Sequence, residues 1–381
     1  TANMWKGVDS ILIVGGTSKT VKYRFQTVTS LLSSMAIGRP NSTSPLAYIY
    51  IAGSDGYIYA YDANGYKWKS ETECSSNTLY TPSISLIDFD GDGNAEIYAG
   101  ERIFDAATGD LLLDCNLRAQ GLDFGAASGH PNSGTAWNRY LYRPIIADMD
   151  NDGLAEIVAG RYIYKVNIER ADANKNRCWV YKVADTTNRP EVKDGHTVVA
   201  DLDLDGFLDV IVTTNNLNME TNMPDPVDGD AHRYLYAWNG RTGRLMNNNV
   251  VSVNQTDRDR FIMGPSIPLV GDLNGDKRPD IVFSYAKGVI AHQYNPSTNT
   301  LDLMWNFDTN DASGSTSLSM FNFDQDENGV MELIYRDEQN LRIIDGQGND
   351  LITYDCRSST GNEYATIADI TGDGTTNIII G

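Results

Sequence analysis

Aspartates two residues apart recur along this chain in a pattern that suits a hard cation. Asp88, Asp90, Asp92, Asn94 and Glu96 occupy positions 1, 3, 5, 7 and 9 of a nine-residue segment. The segment returns as Asp148, Asp150, Asp152, Leu154 and Glu156, and as Asp201, Asp203, Asp205, Phe207 and Asp209. It returns again as Asp272, Asn274, Asp276, Arg278 and Asp280, and as Asp324, Asp326, Asn328, Val330 and Glu332. The last copy is Asp369, Thr371, Asp373, Thr375 and Asn377. In a tight turn the side chains at positions 1, 3, 5 and 9 converge on one point, and position 7 adds its backbone carbonyl. Calcium takes six to eight oxygen ligands and tolerates irregular geometry, whereas magnesium demands a stricter octahedron. Glycine at position 6 (Gly93, Gly153, Gly206) admits the positive φ of such a turn. The expected cofactor is Ca2+, up to six ions.

The copies differ in charge. The first three hold four carboxylates, the next two hold three, and the last holds two. Affinity is expected to fall in that order, since it follows ligand charge and rigidity. Six ions would bring the formal charge from -21 to about -9. An EF-hand is excluded, because it needs a bidentate Glu at position 12 and flanking helices; here position 12 is Ala99, Ala159 or Val212 inside a strand-like run. Asp, Asn and Gly also dominate ordinary turns, but six copies, each followed by a strand-like run, exceed what turn composition explains.

The elements that position these segments are short strands. An apolar run such as residues 83–87 or 144–147 precedes each copy, and a β-branched run such as 156–159 or 209–213 follows. Further strands are joined by Asn-Gly or Thr-Gly turns: residues 57–61 and 66–68, or 234–238 and Arg244 to Met246. Each unit therefore reads as a four-stranded antiparallel meander. Copies begin 60, 53, 71, 52 and 45 residues apart, which points to propeller blades with inserted loops. The expectation is an all-β, seven-bladed β-propeller forming one domain over residues 1–381. Its blades fall near 28–75, 81–117, 143–182, 196–248, 264–308, 316–356 and 364–381. The first lacks carboxylates in its loop at 37–45, and the last is expected to be completed by strands from 9–27, closing the ring from both termini. The alternative is that its outer strands lie beyond Gly381.

These segments resemble FG-GAP (VCBS) repeats, the blades of integrin α-subunit heads and of many bacterial surface proteins. The resemblance covers about residues 28–381 and implies a seven-bladed propeller with calcium in the loop joining the first two strands of a blade. It also implies a role in adhesion or recognition.

Composition narrows the partners. With 51 acidic and 30 basic residues the chain has no basic stripe for nucleic acid or an anionic membrane. Its apolar runs are far shorter than the roughly twenty residues of a membrane span, so membrane insertion is not expected. The start at Thr1 reads as a mature or excised piece of a longer protein. Four cysteines, none in a CxxC, speak against zinc; Cys74, Cys115 and Cys356 close similar segments, as repeat equivalents would.

Three insertions, at 117–142, 213–233 and 247–262, are expected on the face opposite the calcium loops. Long loops on a rigid scaffold are where binding residues gather. They carry His130, Trp137, Arg139 and Tyr140, then His232, then Arg258 and Arg260, the candidate ligand-binding residues. Aromatic and Arg side chains of this kind anchor protein or glycan ligands. The expected function is a non-catalytic recognition or adhesion module of a secreted or cell-surface protein, in an extracellular setting where calcium is millimolar. The alternative is a polysaccharide-active enzyme similar to rhamnogalacturonan lyases, with His130 and Arg139, or His232 and Arg260, as base and charge stabiliser.

Overall fold

Short apolar runs bounded by Asp, Asn and Gly become strands in the computed structural model of the chain. It describes residues 8–14, 21–53, 55–74, 84–121, 144–189, 192–215, 231–255, 265–285, 288–311, 318–323, 329–357, 365–369 and 376–379. Among them are seven antiparallel sheets and no α-helix. The chain divides into two compact units: residues 1–122, 146–157 and 164–181, and residues 123–145, 158–163 and 182–381.

The second sheet shows the common plan. Strands Ile84–Ile87, Glu96–Ala99, Arg102–Asp105 and Leu111–Asp114 run up and down in chain order. The third to sixth sheets repeat that order within 145–183, 196–255, 269–308 and 319–355. The second strand of a sheet is its most deeply placed element: Glu96–Ala99 and Asp280–Tyr285 are buried along their whole length. Both of their faces are covered, so their sequence is a continuous apolar run rather than an alternation. The last strand is the most exposed, and every residue of Asp350–Asp355 faces solvent.

Apolar side chains fill the space between successive sheets. Tyr50, Ile58, Ile97 and Phe104 join the first to the second; Ile211, Leu235, Phe283 and Leu301 join the fourth to the fifth; Val282, Leu333 and Tyr335 join the fifth to the sixth. Each such side chain contributes about 2 kcal/mol by leaving water. Tryptophans tie neighbouring sheets at two different places: Trp238 Nε1, on a third strand, donates to the Gly160 carbonyl of the preceding sheet at 3.0 Å, and Trp305 Nε1, on a fourth strand, to the Gly346 carbonyl of the following sheet at 2.9 Å. The cysteines at 74, 115 and 356 sit in one structural place, their amides bonded to the carbonyls of Gly56, Glu101 and Gln339 in the turn that leads into the second-last strand of the sheet. All four thiols are free.

Three expectations are corrected. Residues 9–27 do not complete the last sheet. Val8–Val14 pairs with Val21–Gly38, which then pairs with Tyr48–Gly53, so both join the first sheet and make it five-stranded. The reason is that no Gly or Pro interrupts residues 21–37, and one long strand serves two neighbours along its length. The last sheet has two strands among the described residues, Thr366–Ala368 and Asn377–Ile379. In the fourth sheet, Arg244 to Met246 is not the final strand. It makes one isolated bridge, Trp238 to Leu245, and the ladder is formed by Val251–Gln255 against Ala231–Leu235. Thus His232 stands in the strand Ala231–Asn239, opposite Asn254, and not in a loop.

Candidate metal centres on the strand-joining loops

Each acidic segment joins the first two strands of its sheet, and its first carboxylate builds the turn. Asp88 accepts from the amides of Gly91, Asp92 and Gly93 at 2.8, 3.1 and 2.9 Å. Asp201 accepts from Asp205 and Gly206 at 3.0 and 2.8 Å, and Asp272 from Gly275 and Lys277 at 2.7 and 2.8 Å. Position 5 accepts from the amide of position 7, as Asp92 does from Asn94 at 2.7 Å and Asp205 from Phe207 at 2.9 Å. The chain is left-handed at position 6 (Gly93 φ 85°, Gly153 φ 88°, Gly206 φ 87°, Lys277 φ 67°). Position 4 is left-handed too (Gly91 φ 71°, Asn151 φ 59°, Leu204 φ 61°, Gly275 φ 80°), a requirement the glycine pattern alone does not reveal.

Position 9 is an anchor as well as a candidate ligand. One oxygen of Glu96, Glu156, Asp209 and Asp280 accepts the amide of position 2 (Phe89, Met149, Leu202, Leu273) at 2.8 to 2.9 Å. The position 2 side chains are buried, pinning the loop to the core. Three sets, Asp88–Asp90–Glu96, Asp148–Asp150–Glu156 and Asp201–Asp203–Asp209, each gather three carboxylate oxygens within 4.8 Å of one another. Oxygens bound at 2.3–2.6 Å to one calcium lie no further than about 5 Å apart. The donor set, all hard oxygen, suits calcium.

Burial shows in the carboxyl groups. Desolvation pushes Glu96 up to about 7, Asp209 up to about 8 and Asp280 up to about 7, with neighbouring aspartates adding to it. Asp280 Oδ1 is buried with no hydrogen-bond partner, an orphaned oxygen that a cation would satisfy. The loop at 201–209 therefore fits the ion by its gathered oxygens, and the loop at 272–280 by its orphaned one.

The other two described loops carry side-chain cations. Arg170 donates to Asp92 at 3.2 Å and also bonds Glu96 and Asp105. Lys165 contacts Asp150, Asp152 and Glu156 at 2.8, 2.7 and 3.3 Å. Asp152 is lowered chiefly by its bond from Lys165. Among the described residues no lysine or arginine pairs with Asp201, Asp203, Asp205 or Asp209.

These cations belong to a part of the site that the repeat did not disclose. The third strand of each sheet faces position 9: Asp105 pairs with Glu96, Asn239 with Asp209 and Gln293 with Asp280. Asn239 Nδ2 donates to Asp209 Oδ1 at 2.9 Å, and Gln293 bonds Asp276. Lys165, on Tyr162–Asn167, follows Glu156 by nine residues, as Asp105 follows Glu96. The residue type changes from sheet to sheet, so no shared letter marks it.

The sixth loop starts earlier than its acidic pattern suggests. Phe321 pairs with Glu332, eleven residues apart, where Ile87 and Glu96, Ala200 and Asp209, and Gly271 and Asp280 are nine apart. Phe323, and not residue 325, donates its amide to Glu332, at 2.6 Å. Position 1 is thus Asn322, and the loop is two residues longer. The apolar position 2 carried that signal. Asp324, Asp326 and Asn328 lie outside the described residues, as do Thr371, Asp373 and Thr375 of the last loop. Asp369 and Asn377 are placed, Asn377 opposite Ala368.

Of the candidate ligand-binding residues, His130, Trp137, Arg139, Tyr140, Arg258 and Arg260 lie outside the described residues, and of His232 only the backbone is described. The remaining histidines are buried: His292 stacks on Phe283 with centroids 6.3 Å apart, and burial lowers it to about 4.

No protein-family model and no curated protein sequence matches the chain. Among solved structures it is similar to the V. cholerae biofilm matrix protein Bap1, at 14 % identity over 91 % of this chain and 73 % of that one, with a TM-score of 0.53. Likeness is weaker to BamB from Moraxella catarrhalis (13 % identity, 94 % and 93 % covered, TM-score 0.49). It is weaker still to an Agrocybe aegerita lectin that recognises non-reducing terminal N-acetylglucosamine (16 % identity, 99 % and 94 % covered, TM-score 0.44). At such identities the likeness to Bap1 concerns the fold alone.

Proposed function

We infer that the chain is a calcium-binding β-propeller of the FG-GAP/VCBS kind, serving as a recognition or adhesion module of an extracellular protein. Seven blades would close a ring, with the acidic loops on one face and a protein or glycan ligand on the other. The observation that carries the calcium part is the convergence of the Asp201, Asp203 and Asp209 oxygens within 4.8 Å in a loop whose backbone is already turned for it, with the unpartnered buried Asp280 Oδ1 supporting the loop at 272–280. Asp201, Asp203, Asp205 and Asp209, with the Phe207 carbonyl, would hold one ion; Asp272, Asn274, Asp276 and Asp280, with the Arg278 carbonyl, another. Calcium, when bound, supplies the positive charge that lets these partly buried acids stay ionised. The chain's own part is to fix the loops through the position 1 and position 9 hydrogen bonds, so little ordering remains for binding.

The module is proposed as non-catalytic. Its acidic loops are structural supports, and neither buried His196 nor buried His292 is open to a substrate.

The test is metal analysis of the purified chain together with melting curves in calcium and in excess chelator. Bound calcium and a melting temperature lowered by chelation are expected, because metal binding and folding are coupled. A chain that holds no ion and melts identically in both buffers ends the calcium reading. A glycan array, with a lyase assay for unsaturated product beside it, tests the recognition reading; product formation would replace it with the enzymatic alternative.

A further inference from the structure

The loop at 148–156 has the full set of four carboxylates, and charge counting ranks it with the tightest sites. Its surroundings do not fit a divalent ion. Lys165 Nζ lies 2.8 Å from Asp150 Oδ2, 2.7 Å from Asp152 Oδ2 and 3.3 Å from Glu156 Oε1. These are positions 3, 5 and 9, three of the loop's four carboxylates. An ammonium has three N–H donors and no acceptor, and here three carboxylates surround it. The Tyr181 ring covers Nζ from outside, 5.0 Å to its centroid. Lys165 is one-fifth exposed and Glu156 is buried, so the contact is partly shielded from water and salt.

The geometry points to Lys165 as a tethered replacement for the metal: the loop at 148–156 is held by an ammonium from its own sheet and takes no calcium. A divalent ion among the same oxygens would sit within a few ångströms of Nζ, and the two positive charges would repel in a site of low dielectric. The same place on the third strand holds Asn239 and Gln293 in the fourth and fifth sheets. Those amides are neutral and leave the charge of their loops uncompensated. Of the four described loops, this one alone has a cation at the third-strand place that Asp105, Asn239 and Gln293 fill in the other sheets. The inference deepens the calcium reading by assigning which loop is exempt from it, and it replaces the affinity order drawn from carboxylate counts. Its consequence is a loop whose shape does not depend on calcium concentration.

Calcium bound per chain decides the matter, measured by metal analysis after equilibrium dialysis and by titration calorimetry. Lys165→Gln copies residue 293 of the fifth sheet and is expected to bind one calcium more than the wild type. Asp152→Asn is expected to bind the same number as the wild type, and it keeps the test decisive if Lys165→Gln does not fold. A Lys165→Gln chain that gains no ion, or an Asp152→Asn chain that loses one, overturns the inference. Asp205→Asn reports separately on the calcium reading: it should lose one ion. If it loses none while Lys165→Gln gains one, the assignment of Lys165 stands and the fourth-sheet calcium site falls.

Discussion

The loops at 148–156 and 201–209 share an Asp-x-Asp-x-Asp-Gly core and four carboxylates, yet they resolve the same electrostatic problem in different ways. In the first, Lys165 bonds three carboxylates and Asp152 is held below its ordinary value. In the second, the third strand offers Asn239, whose amide donates one hydrogen bond to Asp209 and no charge. Asp209 is fully buried and pushed up to about 8. Charge counted along a loop therefore does not decide what the loop holds. The residue brought across from the neighbouring strand does, and it lies nine or thirty residues away.

Removing each cross-strand partner in chelator gives the largest contrast. Lys165→Met strands three carboxylates, and breaking a buried ion pair costs about 3–5 kcal/mol, with partial exposure placing this case near 3. Asn239→Leu leaves Asp209 Oδ1 without its donor and the Thr242 amide without its acceptor, at about 2 kcal/mol in all. Urea denaturation is expected to show Lys165→Met as the more damaged of the two, with excess calcium restoring much of its loss. Equal losses, or a loss in Lys165→Met that calcium does not change, would break the contrast.

A second test varies pH on the metal-free protein. The folded-state value of Asp209 lies above its unfolded value of 3.8, so the folded state binds the extra proton. Its contribution to stability is complete below about pH 4 and fades as pH rises through about 8. One proton's difference amounts to about 1.4 kcal/mol per pH unit at most, so roughly 2 kcal/mol is expected to disappear between pH 5 and pH 7. Glu96 and Asp280, each pushed up to about 7, steepen the same interval, so Asp209→Asn should remove one carboxyl's share of the slope. Glu156 is raised as well, by burial, but Lys165 opposes the shift, and Glu156→Gln should flatten the slope less. A metal-free protein whose stability rises over this interval would contradict the assignment.

The strand-loop-strand plan was legible because its parts are local. The apolar run, the turn-forming aspartate, the position 6 glycine and the buried second strand all lie within about fifteen residues of one another. Pairing across longer distances was not. Val21–Gly38 serves two neighbours, which composition at either terminus does not announce. The fourth sheet closes with Val251–Gln255 because the long strand Ala231–Asn239 offers a second place to pair. In the sixth loop the acidic letters masked the register, which the apolar Phe323 marks. Lys165, Asn239 and Gln293 escaped notice because they share a place and not a residue type.

The smallest effect sharpens the same pair of loops through their backbones. Position 4 is left-handed in both, occupied by Asn151 at φ 59° and Leu204 at φ 61°. Asparagine tolerates this region, whereas leucine there carries a steric cost of about 1–2 kcal/mol. Glycine relieves that cost but loses more freedom on folding, which returns part of the gain. Leu204 is half exposed, so little apolar burial is forfeited with its side chain. Leu204→Gly is therefore expected to stabilise the calcium-loaded protein by about 0.5–1 kcal/mol, while Asn151→Gly should change it by less than about 0.5 kcal/mol. Paired melting curves measure the difference. A Leu204→Gly protein that melts lower than the wild type would mean that the leucine side chain has a contact worth more than the strain, and position 4 would then belong to what distinguishes the two loops.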